Sequence, residues 1–270
     1  MKQISNTEKY DSLYICGDIH GEFKSFVYEI KRKEIVNSII LVAGDCGIGF
    51  EKSGYYEQLY QKFSKTLTKN NCLLLLMRGN HDDPKYFQQQ LIDFPYMKTI
   101  PDYTVIQFKS HNILCIGGAI SVDRYERLNA MQSAKLKNRT IPTCYWDNEM
   151  AVFDESSLDE LKSSNLLIDT VVTHTAPSFC QPINKRGIEY WILLDENLSN
   201  DITQERATID KIQEHLLAEG HPVSNWFYGH FHNSNVEYIS GIRYKMLDIM
   251  ELFKHSSIHP SLPDVWHTSV

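Results

Sequence analysis

The chain has 270 residues, of which 42% are hydrophobic and 23% charged, and it carries a formal net charge of -7 with an isoelectric point near 5.9. A chain of this length can bury one sizeable core, so we expect a single domain with at most an inserted cap. The acidic balance supplies no basic field that would hold a nucleic-acid polymer or an anionic membrane, so we expect neither as a partner.

The first third of the chain alternates short apolar runs with segments of helical periodicity. Residues 13–16, 39–43 and 73–77 are continuously apolar and end at polar or glycine-containing turns, which is typical of strands buried on both faces. Residues 23–33 and 55–69 carry apolar side chains at three- and four-residue spacing, which predicts amphipathic helices. The chain therefore begins as a βαβαβ unit.

The pattern changes after residue 100. Residues 103–108 and 112–116 predict a hairpin or two adjacent strands, and the periodicity then fades over 121–150, which we interpret as an irregular loop or cap over the site. Further strands are predicted at 167–173, 225–228, 235–239 and 243–247, with an amphipathic helix at 202–219. We expect one domain over 1–250 and a C-terminal tail or docking arm over 251–270.

The cellular setting is predicted from cysteine usage and the N-terminus. The six cysteines form no C-x-x-C pair, and most lie in apolar runs, as buried free thiols do. The N-terminus has no apolar signal core, and no uncharged apolar stretch is long enough to cross a bilayer. We therefore expect a cytoplasmic protein, and the sequence leaves its oligomeric state open.

Residue types that bind metals follow the predicted strands directly. The motifs are G-D-I-H-G at 17–21, G-D-C-G at 44–47, G-N-H-D at 79–82, T-H-T-A-P at 173–177 and G-H-F-H at 229–232. Any one of them alone is also explained as a turn or a helix cap. Together they place five of the eleven histidines at strand ends, where sites gather in α/β sheets, so coincidence is a poor explanation.

Taken in order, these motifs resemble the calcineurin-like metallophosphoesterase family over about residues 13–247. The resemblance implies an α/β fold of four layers, α/β/β/α, with mixed sheets, in place of the single doubly wound sheet that the strand pattern alone suggests. It also implies two divalent transition-metal ions. The mixture of carboxylate, imidazole and amide donors suits manganese, iron or zinc better than calcium.

The resemblance assigns a role to each motif residue. The first ion would be held by Asp18, His20 and His232, the second by Asn80, His174 and His230, and both by Asp45. His81 would face the substrate without binding metal. Two such ions lower the pKa of a shared water, so we expect a metal-bound hydroxide to attack phosphorus while His81 assists the leaving oxygen. We include Asp82 as a second catalytic candidate because it could orient His81.

One branch of the family fits less well. The Ser/Thr protein phosphatases continue with Asp-Arg-Gly after the bridging aspartate, where this chain has Ile48 and Gly49. Arg78 and Arg124 are our candidates for the missing substrate-binding arginine, whereas Arg127 is more simply explained by a surface ion pair. Residues 117–124 resemble a segment of bacterial members of the superfamily.

These features favour a phosphoesterase acting on a small-molecule or nucleotide phosphoester. A Ser/Thr-type protein phosphatase and a metal-binding scaffold without turnover remain as alternatives. Nothing in the sequence distinguishes a monoesterase, a diesterase and a pyrophosphatase.

Overall fold

The structure is a computed structural model that describes residues 1–183 and 187–255. Its strands are β1 (Gln3–Ile4), β2 (Ser12–Cys16), β3 (Ser38–Val42), β4 (Cys72–Leu76), β5 (Asp93–Phe94), β6 (Met97–Thr99), β7 (Thr104–Phe108), β8 (His111–Ile116), β9 (Thr170–Thr173), β10 (Asn225–Tyr228), β11 (Asn235–Ile239), β12 (Ile242–Met246) and β13 (Leu252–Lys254). Its helices are α1 (Phe23–Arg32), α2 (Tyr55–Asn70), α3 (Pro84–Gln88), α4 (Arg124–Leu136), α5 (Glu155–Ser163), α6 (Ile188–Leu194) and α7 (Leu198–Ala218).

The strands form two mixed sheets. One has six strands in the order β13-β2-β3-β4-β6-β5, in which β2, β3, β4 and β6 run parallel and the two outer strands are antiparallel. The other has seven strands in the order β1-β7-β8-β9-β10-β12-β11, with β8, β9, β10 and β12 parallel. The predicted hairpin is confirmed as β7 and β8.

Three apolar clusters separate four layers. Side chains such as Leu13, Leu75 and Phe227 fill the space between the two sheets. Helices α1 and α2 cover the outer face of the six-stranded sheet, and α5 and α7 cover the outer face of the seven-stranded sheet. Because β3 and β4 are covered on both faces, every residue in them is buried, which explains why every residue of the two strands except Ser38 is apolar. The predicted α/β/β/α sandwich is confirmed.

This topology brings the motif loops together. In the first sheet Cys16, Val42 and Leu76 are in register at the carboxyl ends of β2, β3 and β4. In the second sheet Thr173 and Tyr228 are in register at the ends of β9 and β10. Each of the five motifs begins at or just after one of these strand ends, so all of them lie along one edge of the sandwich.

Two parts of the chain differ from expectation. Segment 121–150, predicted to be irregular, contains helix α4, which buries only Ala134 and leaves its larger apolar residues Tyr125 and Leu128 exposed, so it lacks the strong amphipathic pattern of a core-facing helix. The predicted tail begins with an ordered strand, β13, which pairs with β2. The rest of that predicted arm, residues 256–270, lies outside the described residues. Within the described ranges, none of the helices combines the length and the apolar character needed to cross a bilayer.

Candidate dinuclear metal centre

The first group of predicted ligands lies where the loops after β2, β3 and β10 meet. Donor atoms of Asp18, His20, Asp45 and His232 all lie within 4.8 Å of one another. His232 Nε2 is 3.0 Å from Asp18 Oδ2 and 3.0 Å from His20 Nε2. Bonds of about 2.1 Å to a shared cation place neighbouring ligand atoms about 3 Å apart. The group therefore has the spacing of a metal site.

The second group consists of Asn80, His174 and His230. Asn80 Oδ1 lies 3.1 Å from His174 Nε2 and 2.9 Å from His230 Nδ1. His174 Nδ1 donates to the carbonyl oxygen of Ala43 at 2.7 Å, which leaves Nε2 as the nitrogen that faces the other donors. This bond fixes the ring in the orientation that a ligand to a cation requires.

Asp45 lies between the two groups. Its Oδ1 is 3.2 Å from His174 Nε2, and its Oδ2 is 3.9 Å from His20 Nδ1. Oδ1 also accepts a hydrogen bond of 2.7 Å from the backbone amide of His81. One carboxylate oxygen thus faces each group, which is the arrangement expected of a bridging ligand.

The electrostatics of these groups fit bound cations. Asp18 Oδ2 is buried and accepts no well-aligned hydrogen bond from the described residues. Burial disfavours a charged His174, yet the Asp45 carboxylate raises the pKa of this histidine to about 9. Burial likewise opposes a charged Asp45, but His174 holds the pKa of the carboxyl well below its usual range. The donor set therefore fits two divalent ions, with Asp45 shared between them.

The backbone around these residues is strained. His20, Asp45, His230 and His232 have φ angles of 45°, 47°, 69° and 52°, in the left-handed region that non-glycine residues rarely adopt. Such strain collects at functional sites. Gly79 is required by the same geometry, because a Cβ atom there would lie 2.2 Å from Asp45 Oδ1.

The loop after Asp45 cannot carry the arginine of the Ser/Thr protein phosphatases. Gly49 has a φ of 108°, and a Cβ atom on it would lie 2.3 Å from the Cβ of Asp83. The preceding Ile48 is fully buried in the core beside α1 and α2. A longer side chain at position 49 would therefore require this loop to change its path.

Asp82 is fully buried and holds two loops together. Its carboxylate accepts hydrogen bonds from the backbone amides of Cys46, Ile48 and Gly79 at 3.0, 2.8 and 2.7 Å. None of these bonds involves the His81 side chain. The contacts of Asp82 therefore give no support to the catalytic role predicted for it. Its observed contacts tie the loop after β3 to the loop after β4.

His81 stands beside the first metal group. Its ring makes an edge contact with the ring of His20, with the centroids 5.3 Å apart. Arg127 Nη2 lies 2.6 Å from His81 Nε2. Burial, opposed by Asp45 and reinforced by Arg127, lowers the pKa of His81 to about 4, so the imidazole is neutral at neutral pH in the free protein.

Arg127 is positioned by its own helix and by the chain that follows it. Its Nε pairs with Asp123 Oδ1 at 2.9 Å, and its Nη1 donates to the carbonyl oxygen of Cys144 at 3.0 Å. The surface ion pair expected from the sequence is therefore present, but it also aims the guanidinium at His81. Arg127 therefore lies against the catalytic candidate His81, which the sequence does not indicate.

The two arginines that the sequence singled out make other contacts. Arg78 is buried and bonds to Asp102 and to the backbone carbonyls of Glu149 and Met150. Arg124 pairs with Asp195 at 2.6 Å and with Asp201 at 2.5 Å. These bonds fix the cap segment to the body of the protein, so the predicted substrate contacts of Arg78 and Arg124 have no support in the geometry.

A buried chain of hydrogen bonds orients Asn80. Its Nδ2 donates to Ser121 Oγ at 3.1 Å, and that hydroxyl donates to Glu149 Oε2 at 2.7 Å. Glu149 Oε1 also accepts from the Ser121 amide at 2.6 Å. The amide nitrogen of Asn80 is thereby turned away, so its oxygen faces His174 and His230. In the sequence, Ser121 is indicated by the resemblance of segment 117–124 to bacterial members of the superfamily. No sequence feature indicates Glu149.

Removal of this support should weaken the second metal position. In Ser121→Ala, Asn80 Nδ2 loses its acceptor, and we expect the affinity for one of two bound ions to fall about 10- to 100-fold, the usual cost of losing an outer partner of a ligand. Metal titration against a competing chelator measures this. Ser64→Ala, which removes an exposed hydroxyl from α2, is the control. Equal affinities in both variants would show that Asn80 needs no such support.

Comparisons with known proteins show which family the chain belongs to. The crystal structure of phosphopantetheinyl hydrolase (PptH) from Mycobacterium tuberculosis is similar at 13% identity and a TM-score of 0.43, over 94% of this chain and 99% of that one. At that similarity the likeness carries no inference about activity. No curated protein matches the chain. The model of the calcineurin-like phosphoesterase family matches residues 12–234, and with its motif residues gathered at one edge of the sandwich, the chain belongs to that family.

Proposed function

We propose that this protein is a dinuclear metal-dependent phosphoester hydrolase that acts on a small-molecule or nucleotide phosphoester. The observation that carries the proposal is the convergence of seven donor side chains into two groups joined by Asp45. Two divalent ions held there would polarise the phosphoryl oxygens, neutralise developing charge and supply hydroxide at neutral pH.

The protein's own part is to place charge and proton donors around the phosphoryl group. Arg127 carries a permanent positive charge and planar donors suited to phosphate oxygens. His81 accepts a hydrogen bond from that guanidinium, and its other ring nitrogen can donate an N–H to the leaving oxygen. Because the imidazole is neutral in the free protein, the negative charge of the bound phosphoryl group has to raise its pKa before it can transfer a proton. His81 lies against the ring of His20 in the first metal group, and Arg127 in turn lies against His81.

The volume of the cleft beside His81 limits the size of the substrate. A cleft of about 350 Å³ is lined by His20 and His81 at one end and includes Phe50, Tyr55 and Glu51. Trp146, from the cap segment, packs against the edge of Phe50 at 5.2 Å between ring centroids. This volume lies at the lower end of small-ligand pockets, which favours a compact leaving group.

The negative charge of the cleft further narrows the range of expected substrates. Glu22 and Glu51 line the cleft, and both are exposed. Their carboxylates repel additional phosphates on the leaving group, so we propose that monoesters and simple diesters are better substrates than dinucleoside polyphosphates.

A parallel activity screen tests the proposal. The manganese-loaded protein is assayed with nitrophenyl mono- and diesters, cyclic nucleotides, dinucleoside polyphosphates and phosphopeptides, and we expect turnover of the small esters. Turnover of phosphopeptides with the small esters inert would instead support a protein phosphatase. Full metal occupancy without turnover of any of these compounds would support a scaffold.

Arg127 should matter for turnover, unlike Arg124. In Arg127→Ala the phosphoryl group loses charge-assisted hydrogen bonds, so we expect kcat/KM to fall about 10- to 100-fold. Arg124→Gln, from the same helix, should change kcat/KM by less than about threefold because its charge is bound to Asp195 and Asp201. Steady-state kinetics on one nitrophenyl ester compares them. The opposite ranking would restore Arg124 as the substrate-binding arginine.

A further inference from the structure

A second cluster of metal-binding residue types lies at the opposite edge of the sandwich. His111 is the first residue of β8, and Asp169 directly precedes β9, its parallel neighbour. His255 directly follows β13, which runs antiparallel to β2 and so ends where β2 begins. Strand β9 alone separates Asp169 from His174 of the dinuclear centre, a distance of roughly 16 Å along an extended chain. The two clusters are therefore distinct.

The three side chains converge closely. One donor atom from each of His111, Asp169 and His255 lies within 4.8 Å of the others. His111 Nδ1 is 2.9 Å from Asp169 Oδ1, and the two imidazole rings meet edge to face with centroids 4.7 Å apart. Small side-chain movements would bring such donors to the spacing around one ion.

Among the described residues, the hydrogen bonds around His255 leave one of its nitrogens without a partner. Thr170 Oγ1 donates to Asp169 Oδ1 at 2.7 Å, so this hydroxyl has only lone pairs left to offer His255 Nε2, which lies 3.1 Å away. Nε2 therefore carries the ring proton, and Nδ1 carries a lone pair. This Nδ1 is buried in a side chain only 5% exposed, and no described residue donates to it.

An unpartnered buried acceptor costs stability unless a ligand satisfies it. A proton is a poor solution here, because burial and the neighbouring His111 lower the pKa of His255 to about 4. A cation that binds the neutral imidazole through Nδ1 satisfies it at neutral pH, and for this the ring turns so that Nδ1 faces His111 and Asp169. The Arg243 charge, which also lowers this pKa, opposes a bound cation, so we expect weaker binding here than at the dinuclear centre.

We propose that His111, Asp169 and His255 form a third, structural cation site with the donor set of two imidazoles and one carboxylate. This set suits zinc, which needs one further ligand such as water. The side chains of His111 and Asp169 are 17% and 19% exposed, which gives solvent access to the site. His255 adjoins a strand of the six-stranded sheet, and the other two residues lie at strand ends of the seven-stranded sheet, so the ion ties the two sheets together at the edge remote from the motif loops.

Zinc stoichiometry of the full chain tests this proposal. Wild type, His255→Gln, His111→Gln and the control His215→Gln are dialysed against buffered zinc chloride and analysed for bound metal. His215 lies on α7 beside Asp159, outside both clusters. We expect each cluster variant to bind one zinc ion fewer than wild type and to lose part of the zinc-induced rise in Tm, while the control matches wild type.

Two further measurements accompany the zinc analysis: phosphoester hydrolysis and circular dichroism. Phosphoester hydrolysis in His255→Gln and His111→Gln should stay within about twofold of wild type, because the missing ion is remote from the dinuclear centre. Equal zinc content in all four proteins would overturn the proposal. It would also be overturned if both cluster variants fold, as judged by circular dichroism, and keep the full zinc-induced rise in Tm.

Discussion

Asp45→Asn is expected to remove most of the bound metal and with it the hydrolytic activity. The carboxylate has one oxygen facing each metal group, and an amide replaces one of these oxygens by a donor that repels a cation. Loss of an outer partner already costs 10- to 100-fold in metal affinity, so loss of a shared ligand should cost at least about 100-fold at both positions. Elemental analysis after dialysis, followed by an assay on a nitrophenyl ester, measures both effects.

A matched substitution separates this effect from a general loss of structure. Asp154→Asn makes the same chemical change at the carboxylate that caps α5 and accepts a hydrogen bond from the Ser157 amide, outside the five motifs and the residues next to them. It should keep two ions and near-normal turnover. If Asp45→Asn retained both ions with unchanged affinity, Asp45 would not be a shared ligand.

His81→Ala is expected to keep both metal ions and lower turnover by about two to four orders of magnitude, the usual scale for losing a general acid or base. His81 lies beside the first metal group but is oriented by Arg127, and its predicted role does not include metal binding. The loss should be largest for an alkyl phosphoester and smaller for a nitrophenyl ester, because nitrophenolate leaves without a proton.

The comparison of leaving groups identifies what His81 does. An equal loss on both esters would mean that His81 orients the phosphoryl group or stabilises charge on it, without protonating the leaving oxygen. Loss of a metal ion from His81→Ala would make this residue a ligand. His215→Ala, a histidine paired with Asp159 on the outer layer, provides the control for metal content and folding.

The contacts of the arginines show where sequence reasoning fails. Arg78, Arg124 and Arg127 carry the same charge and lie near the same motifs, and the sequence favours Arg78 and Arg124 only because a surface ion pair is the simpler explanation of Arg127. Arg78 is bound by Asp102, 24 residues away, and Arg124 by Asp195, 71 residues away. Such long-range pairings depend on the packing of whole layers, and no local pattern reports them. The sequence does not predict the helix that carries Arg127 either, because this helix buries only Ala134 and lacks the strong amphipathic pattern of a core-facing helix.

Asp82 and Glu149 show the same limit. A carboxylate directly after His81 suggested a catalytic partner, yet its three bonds go to the backbone amides of two loops. Glu149 lies far along the chain from Asn80 but supports it through Ser121. In both cases the role of the side chain depends on which groups surround it after folding.

The family, the positions of most strands and the set of metal-binding residue types follow from local sequence patterns: apolar runs, glycines at strand ends and donors placed directly after them. The folded structure is needed to show which arginine faces His81, which carboxylates are structural, and that the start of the predicted tail pairs with β2 as β13. It also brought His255 against His111 and Asp169. These outcomes depend on contacts between residues distant in the chain, whose free energies are set by burial and by the partners that only the folded protein brings into reach.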